Sequence, residues 1–271
     1  MRKRRRISDA ELAALRKAVT PLIGVQFKSL SLPSVALKAI EPSQIGTIVG
    51  TLMDALIPHL PDIPQVGLQK HKGILGEREG YPDYKHASGL RVELKLLYVD
   101  NPALRMKRPP TRREPSARLT QKVTIKNVVP ATDAMLLIAY QLRPRTDDPI
   151  SVTPTIVDLE VFSMIDLVEA RDRRLLQCGG RWFGNYETPC ILSKCGSAKR
   201  AASVALDTST YGRKESEGKD FNEDTNFGKL KRIPHPHLQA FLRKCAAMGV
   251  GQKESRLEED RGSGIGELSP E

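Results

Sequence analysis

Tyr81-Pro82-Asp83-Tyr84-Lys85-His86-Ala87-Ser88-Gly89-Leu90-Arg91-Val92-Glu93-Leu94-Lys95-Leu96-Leu97-Tyr98-Val99 is the stretch around which the rest of this chain is organised. From Gly89 onward it has the pattern of a turn followed by a strand. Val92, Leu94 and Leu96 alternate with Arg91, Glu93 and Lys95, and side chains on a strand alternate between its two faces. Glu93 and Lys95 therefore share one face. Nine residues separate Asp83 from Glu93, and the turn-forming Ala87-Ser88-Gly89 lies among them, so a short hairpin is expected to return the Asp83 carboxylate to that face. Two carboxylates and an ammonium then converge.

That trio suits a magnesium-dependent phosphodiesterase. Mg²⁺ is a hard cation that takes one or two carboxylate oxygens and keeps waters and a phosphate oxygen as its other ligands. Asp83 and Glu93 would place the metal, with the Leu94 carbonyl as a further ligand. The metal polarises the phosphoryl oxygen and lowers the pKa of a bound water, while a neighbouring Lys95 orients that water or stabilises developing negative charge. The plainer reading of the same residues is an exposed cross-strand charge pair, Glu93 with Lys95, and an ordinary turn residue at Asp83.

Pro82-Asp83 followed by Glu93-Leu94-Lys95 resembles the PD-(D/E)xK nuclease signature. The nine-residue interval is similar to that of PvuII-type restriction endonucleases, and Glu93-Leu94-Lys95 running on to Val99-Asp100 resembles MutH-like mismatch-repair endonucleases. The resemblance covers about a third of the chain. It implies an α/β fold with a restriction-endonuclease-like αβββαβ core, a central mixed β-sheet flanked by helices. It also implies a catalytic set of Asp83, Glu93 and Lys95, a Mg²⁺ ion, and hydrolysis that leaves a 5′-phosphate.

Residues 41–57 have the pattern of a helix with a Pro-containing start and a stop near Pro58. Within it, Val49-Gly50-Thr51-Leu52-Met53-Asp54 is similar to the first core helix of MutH-like enzymes, where a Gly is followed four residues later by an acidic residue facing the metal. Asp54 is the matching position and joins the candidate catalytic residues. The family more often carries Glu there, and the plainer reading of Asp54 is a solvated helix charge. Glu77 and Glu79 are nearby alternatives.

The whole chain, 271 residues with a formal net charge of +11, is long enough for one large domain or two small ones. A chain this basic most often meets a polyanion, because Lys and Arg near phosphates release counterions and attract nucleic acid at long range. The segment after the active-site strand concentrates that charge: Arg105, Lys107, Arg108, Arg112, Arg113, Arg118, Lys122 and Lys126 are the candidate DNA contacts. Its prolines argue for an extended loop rather than a core element, mobile without DNA. Arg reads guanine bidentately and Lys mainly positions phosphates. Arg2 to Arg6 form a second basic stretch, a mobile arm suited to DNA phosphates or a minor groove. The plain alternative for the loop is solvated positive charge with no target, and the alternative for the arm is a nuclear localisation signal of a eukaryotic protein.

Around these, Ser8-Asp9-Ala10-Glu11 is a capping box opening a first helix, and a short helix is expected over Ser34 to Ile40. Residues 58–80 are a Pro- and Gly-rich connection containing His71 and Lys72. Residues 134–142 are a near-continuous apolar run, expected as a buried central strand. Val152 to Phe162 is expected to follow as another, with Thr155, Val157, Leu159 and Val161 on one face. Helices are expected over 163–176 and 237–248, and a strand over Trp182 to Leu192. Cys178, Cys190, Cys195 and Cys245 match no zinc spacing and are expected as reduced thiols, with His235 and His237 as loop histidines. The organisation expected is a basic arm and helix over 1–30, a catalytic and DNA-binding domain over 31–207, a loop and helix over 208–248, and a disordered tail over 249–271.

No apolar run is long enough to span a bilayer and no signal-peptide core follows the basic start, so a soluble intracellular protein is expected, without a membrane partner, and the resemblance implies a prokaryotic cytoplasm. The leading expectation is a type II restriction endonuclease that cuts double-stranded DNA at a short sequence with Mg²⁺, as a homodimer because symmetric cutting needs two active sites. Two alternatives stay open: a MutH-like nicking enzyme, and a DNA-binding protein whose carboxylates are structural.

Overall fold

The computed structural model describes residues 5–40, 44, 48–49, 51–53, 55, 57, 64–71, 81–104, 117–119, 123–125, 127–177 and 228–250. Its centre is β5 (Asp133–Pro144), buried from Asp133 through Leu142. A strand covered on both faces has no need of polar alternation, which is why its sequence is a continuous apolar run. On one side β5 pairs in parallel with β4 (Arg91–Tyr98), and on the other it pairs antiparallel with β6 (Ser151–Ser163). The edges are short: β3 (Tyr84–His86) and β2 (Leu68–Lys70) continue antiparallel beyond β4, and β1 (Leu32–Pro33) closes the far side on β6. The six strands run in the order β1-β6-β5-β4-β3-β2. The expected mixed α/β class is therefore what forms.

One face of the sheet carries Val92, Leu94, Leu136 and Ile138 against Leu15 and Val19 of helix α1 (Asp9–Val19), with Phe27, Leu37 and Met53. The other carries Leu97, Met135, Leu137 and Phe162 against Ile165 and Val168 of α2 (Met164–Gln177) and Leu238, Phe241 and Cys245 of α3 (Pro236–Val250). The capping box is present as expected: Ser8 Oγ accepts from the Glu11 N–H at 3.3 Å, and the Glu11 carboxylate accepts from the Ser8 N–H at 2.9 Å. Gln44, Ile48, Val49, Thr51, Leu52, Met53 and Ala55 are helical, within the helix expected over 41–57. Ser34–Lys38 forms a 3₁₀ helix rather than the α-helix expected there.

Three further expectations change. In β6 the pairing steps from Tyr140↔Ile156 to Ala139↔Asp158, leaving Val157 as a bulge. The bulge switches the alternation, so Leu159 and Val161 join Val152 and Ile156 on the α1 face, away from Thr155 and Val157. The segment ending the basic stretch is anchored in the core: Leu119 is fully buried, Val123 nearly so, and both pack beneath α2. The cause is Arg171 of α2, whose buried guanidinium donates to the Leu119 and Val123 carbonyls at 3.5 and 2.8 Å and pairs with Asp172 at 2.9 Å. Leu119 also donates its N–H to the Gly228 carbonyl at 2.8 Å, and Leu230 to that of Ala117 at 3.1 Å. Finally, Arg5 and Arg6 are not a free arm. Arg6 pairs with Asp166 and Glu169 of α2, and Arg5 with Glu11.

Candidate functional site

The site is built by the β3–β4 hairpin. Gly89 turns it with φ +85°, a left-handed conformation that side chains with a Cβ resist. The ladder then runs back through His86 N–H to the Leu90 carbonyl at 2.9 Å and the Tyr84↔Val92 pair. The next hydrogen-bonding position would set Leu94 against Pro82. Proline has no N–H to give the Leu94 carbonyl. In place of the regular ladder, the Leu94 N–H donates to Asp83 Oδ2 at 2.8 Å. The Asp83 carboxylate, the Leu94 carbonyl and Glu93 are thereby gathered where the hairpin opens. On its other side Asp83 accepts the His71 N–H at its backbone carbonyl, at 2.9 Å, so β2 braces the same residue.

Glu93 is 6% exposed, and its Oε1 lies 2.5 Å from the Lys95 ammonium. The plainer expectation of an exposed charge pair is thus not met, because Glu93 sits on the face covered by α2 and α3. Its other oxygen, Oε2, is buried and accepts no hydrogen bond from a donor group of the described residues; the group beside Glu93 is the Asp83 carboxylate. Burial pushes the Glu93 pKa up to about 7; the Lys95 ammonium pulls it down and the Asp83 carboxylate pushes it up again. A buried carboxylate oxygen without a donor, beside a second carboxylate and a backbone carbonyl, is an all-oxygen donor set of the kind a hard divalent cation takes. The residues present fit Mg²⁺ on that ground. No group of three or more His, Cys, Asp or Glu suited to a metal occurs among the described residues, so any ion here would rest on two carboxylates, the carbonyl and water.

Of the other candidate residues, Arg118 is exposed and its backbone bridges to Lys229 beside the Gly228–Leu119 hydrogen bond. Asp54, Glu77, Glu79, Arg105, Lys107, Arg108, Arg112, Arg113, Lys122 and Lys126 lie outside the described residues, as do Lys72, the strand expected over Trp182 to Leu192 and three of the cysteines. Cys245 is a buried free thiol, and burial pushes its pKa up to about 12. His235 and His237 stack edge-on to Phe162, with ring centroids 6.2 and 5.0 Å away. Tyr81 and Asp133, which carry no motif, lie on the same face of the sheet as Glu93 and Lys95. No helix among the described residues is long and apolar enough to cross a membrane.

No protein-family model matches this chain, and no curated protein or solved structure is significantly similar to it.

Proposed function

We propose that the protein is a Mg²⁺-dependent deoxyribonuclease of the PD-(D/E)xK kind, acting on double-stranded DNA as a type II restriction endonuclease. The observation that carries this reading is the meeting of Asp83, the donorless Oε2 of Glu93 and the Lys95 ammonium around Leu94. The strand order supports it too, since an antiparallel β2-β3-β4 unit followed by a parallel β5 is what the αβββαβ core calls for.

Asp83, Glu93 and the Leu94 carbonyl would hold Mg²⁺, which when bound supplies a more acidic water and a counter-charge for the phosphoryl oxygens. Lys95, 18% exposed at its side chain, holds the Glu93 carboxylate in place and presents an ammonium to the substrate side. That charge orients the attacking water and offsets the negative charge growing on the phosphate. A homodimer would set two such sites on a two-fold DNA sequence.

A second reading is a DNA-binding protein that does not cut. The Glu93–Lys95 ion pair and the Asp83–Leu94 hydrogen bond favour it, because each is also a sufficient structural contact. Digestion of supercoiled plasmid and long linear DNA separates the readings. Restriction activity gives discrete Mg²⁺-dependent linear fragments, a MutH-like enzyme gives open circles that depend on another protein, and a non-cutting protein retards DNA in a gel without changing it.

A further inference from the structure

We propose that Asp133 is a positioning residue for this site, holding the Asp83 and Glu93 segments in register through Tyr81 and Arg91; the inference rests on the nuclease reading. Asp133 opens β5, is 1% exposed and is paired in register with Arg91, one alternation below the Glu93↔Met135 pair. Its two oxygens are fully engaged. Oδ2 accepts from the Tyr81 hydroxyl at 2.7 Å and the Val129 N–H at 2.9 Å, while Oδ1 accepts from the Thr132 hydroxyl at 3.0 Å. Oδ1 also lies 3.1 Å from Arg91 Nε, an ion pair without hydrogen-bond geometry, and the Arg91 guanidinium lies 5.4 Å from the centre of the Tyr81 ring.

Tyr81 stands two residues before Asp83, and Arg91 two residues before Glu93. One carboxylate on the parallel neighbour strand therefore grips both segments that carry the site's carboxylates. The β3–β4 ladder cannot do this alone, because Pro82 interrupts it at the position where Asp83 must be fixed. A buried carboxylate satisfied on both oxygens has one low-energy arrangement, and it passes that rigidity to its partners. Groups that orient metal ligands without touching the metal typically alter affinity or activity by about 10- to 100-fold.

The test uses the full chain and titrates Mg²⁺ by calorimetry, with thermal unfolding and plasmid cleavage measured beside it. Tyr81→Phe removes only the hydroxyl, and Asp133→Asn removes the charge at nearly constant shape. The expected result is that Tyr81→Phe keeps the wild-type Tm within a few degrees, weakens Mg²⁺ about tenfold, and lowers kcat with little change in KM for DNA. Asp133→Asn is expected to weaken Mg²⁺ further. Unchanged Mg²⁺ affinity and kcat in Tyr81→Phe would overturn the proposal, and a lower Tm alone would mark Asp133 as merely structural. Asp83→Ala separates the two layers. Loss of Mg²⁺ binding in that variant with unaltered Tyr81→Phe defeats only the positioning role, whereas wild-type protein that binds no Mg²⁺ defeats the nuclease reading and this inference with it.

Discussion

At the scale of single residues, the proposed chemistry rests on a carboxylate kept out of water. Glu93 has a folded pKa pushed up to about 7, above the 4.5 of an exposed glutamate. An acid whose pKa is raised on folding stabilises the fold fully below its unfolded pKa and loses that contribution as pH rises through its folded pKa. Metal-free protein should therefore lose stability between about pH 4.5 and pH 7 on account of this group. Glu93→Gln should flatten that slope and gain on the order of 2 kcal/mol at pH 8 relative to pH 5, read from urea midpoints in chelator. A parallel pH dependence in both proteins would contradict the assignment. Asp83, Glu93 and Lys95 were legible in the sequence because strand alternation and one hairpin relate them locally. Asp133 was not: it meets Tyr81 across a separation of 52 residues, and a lone Asp ahead of an apolar run carries no local pattern. The burial of Glu93 was equally hidden, since the helices that cover its face lie far along the chain.

At the scale of elements, the hairpin and the α2 anchor each allow a direct check. An alanine at Gly89 meets no atom within 4 Å, so its penalty is the φ of +85° alone. Gly89→Ala should cost about 1 kcal/mol, a fall in Tm of roughly 2–4 °C, and on the nuclease reading should lower Mg²⁺-dependent cleavage by loosening the register of Asp83 on Glu93. Arg171 and Asp172 form a fully buried pair. Removing one partner strands the other, so Arg171→Ala should destabilise by about 3–5 kcal/mol in urea unfolding. Replacing both with apolar residues, Arg171→Met with Asp172→Leu, should recover only the part due to the stranded Asp172 charge, because the Leu119 and Val123 carbonyls still lose their donor. The strands β4, β5 and β6 were readable from apolar patterning. The Val157 bulge was not, because a one-residue slip leaves the composition of a strand unchanged. Nor was the anchoring of Leu119 and Val123, which depends on carbonyl contacts to a distant buried arginine in a segment whose prolines and charges suggest a loop.

At the scale of the molecule, the mixed α/β class followed from composition and patterning, while the order of strands and the two helix-covered faces depend on long-range pairing that no single stretch encodes. The net charge of +11 predicts binding to duplex DNA that weakens steeply as salt rises, with a log–log slope set by the number of phosphates contacted. That slope should fall by no more than about one unit in Lys95→Ala, because one lysine of the proposed site neutralises at most one phosphate. A wild-type slope of about one unit or less would contradict binding through the basic surface as a whole. Whether Asp83, Glu93 and Lys95 form a metal-dependent hydrolytic centre is decided by supercoiled plasmid cleavage with Mg²⁺ and with chelator, comparing wild type and Lys95→Ala. Discrete Mg²⁺-dependent products from the wild type, abolished in Lys95→Ala while the gel shift persists, are the predicted result. A gel shift without cutting by the wild type, or undiminished cutting by Lys95→Ala, would contradict the proposed centre.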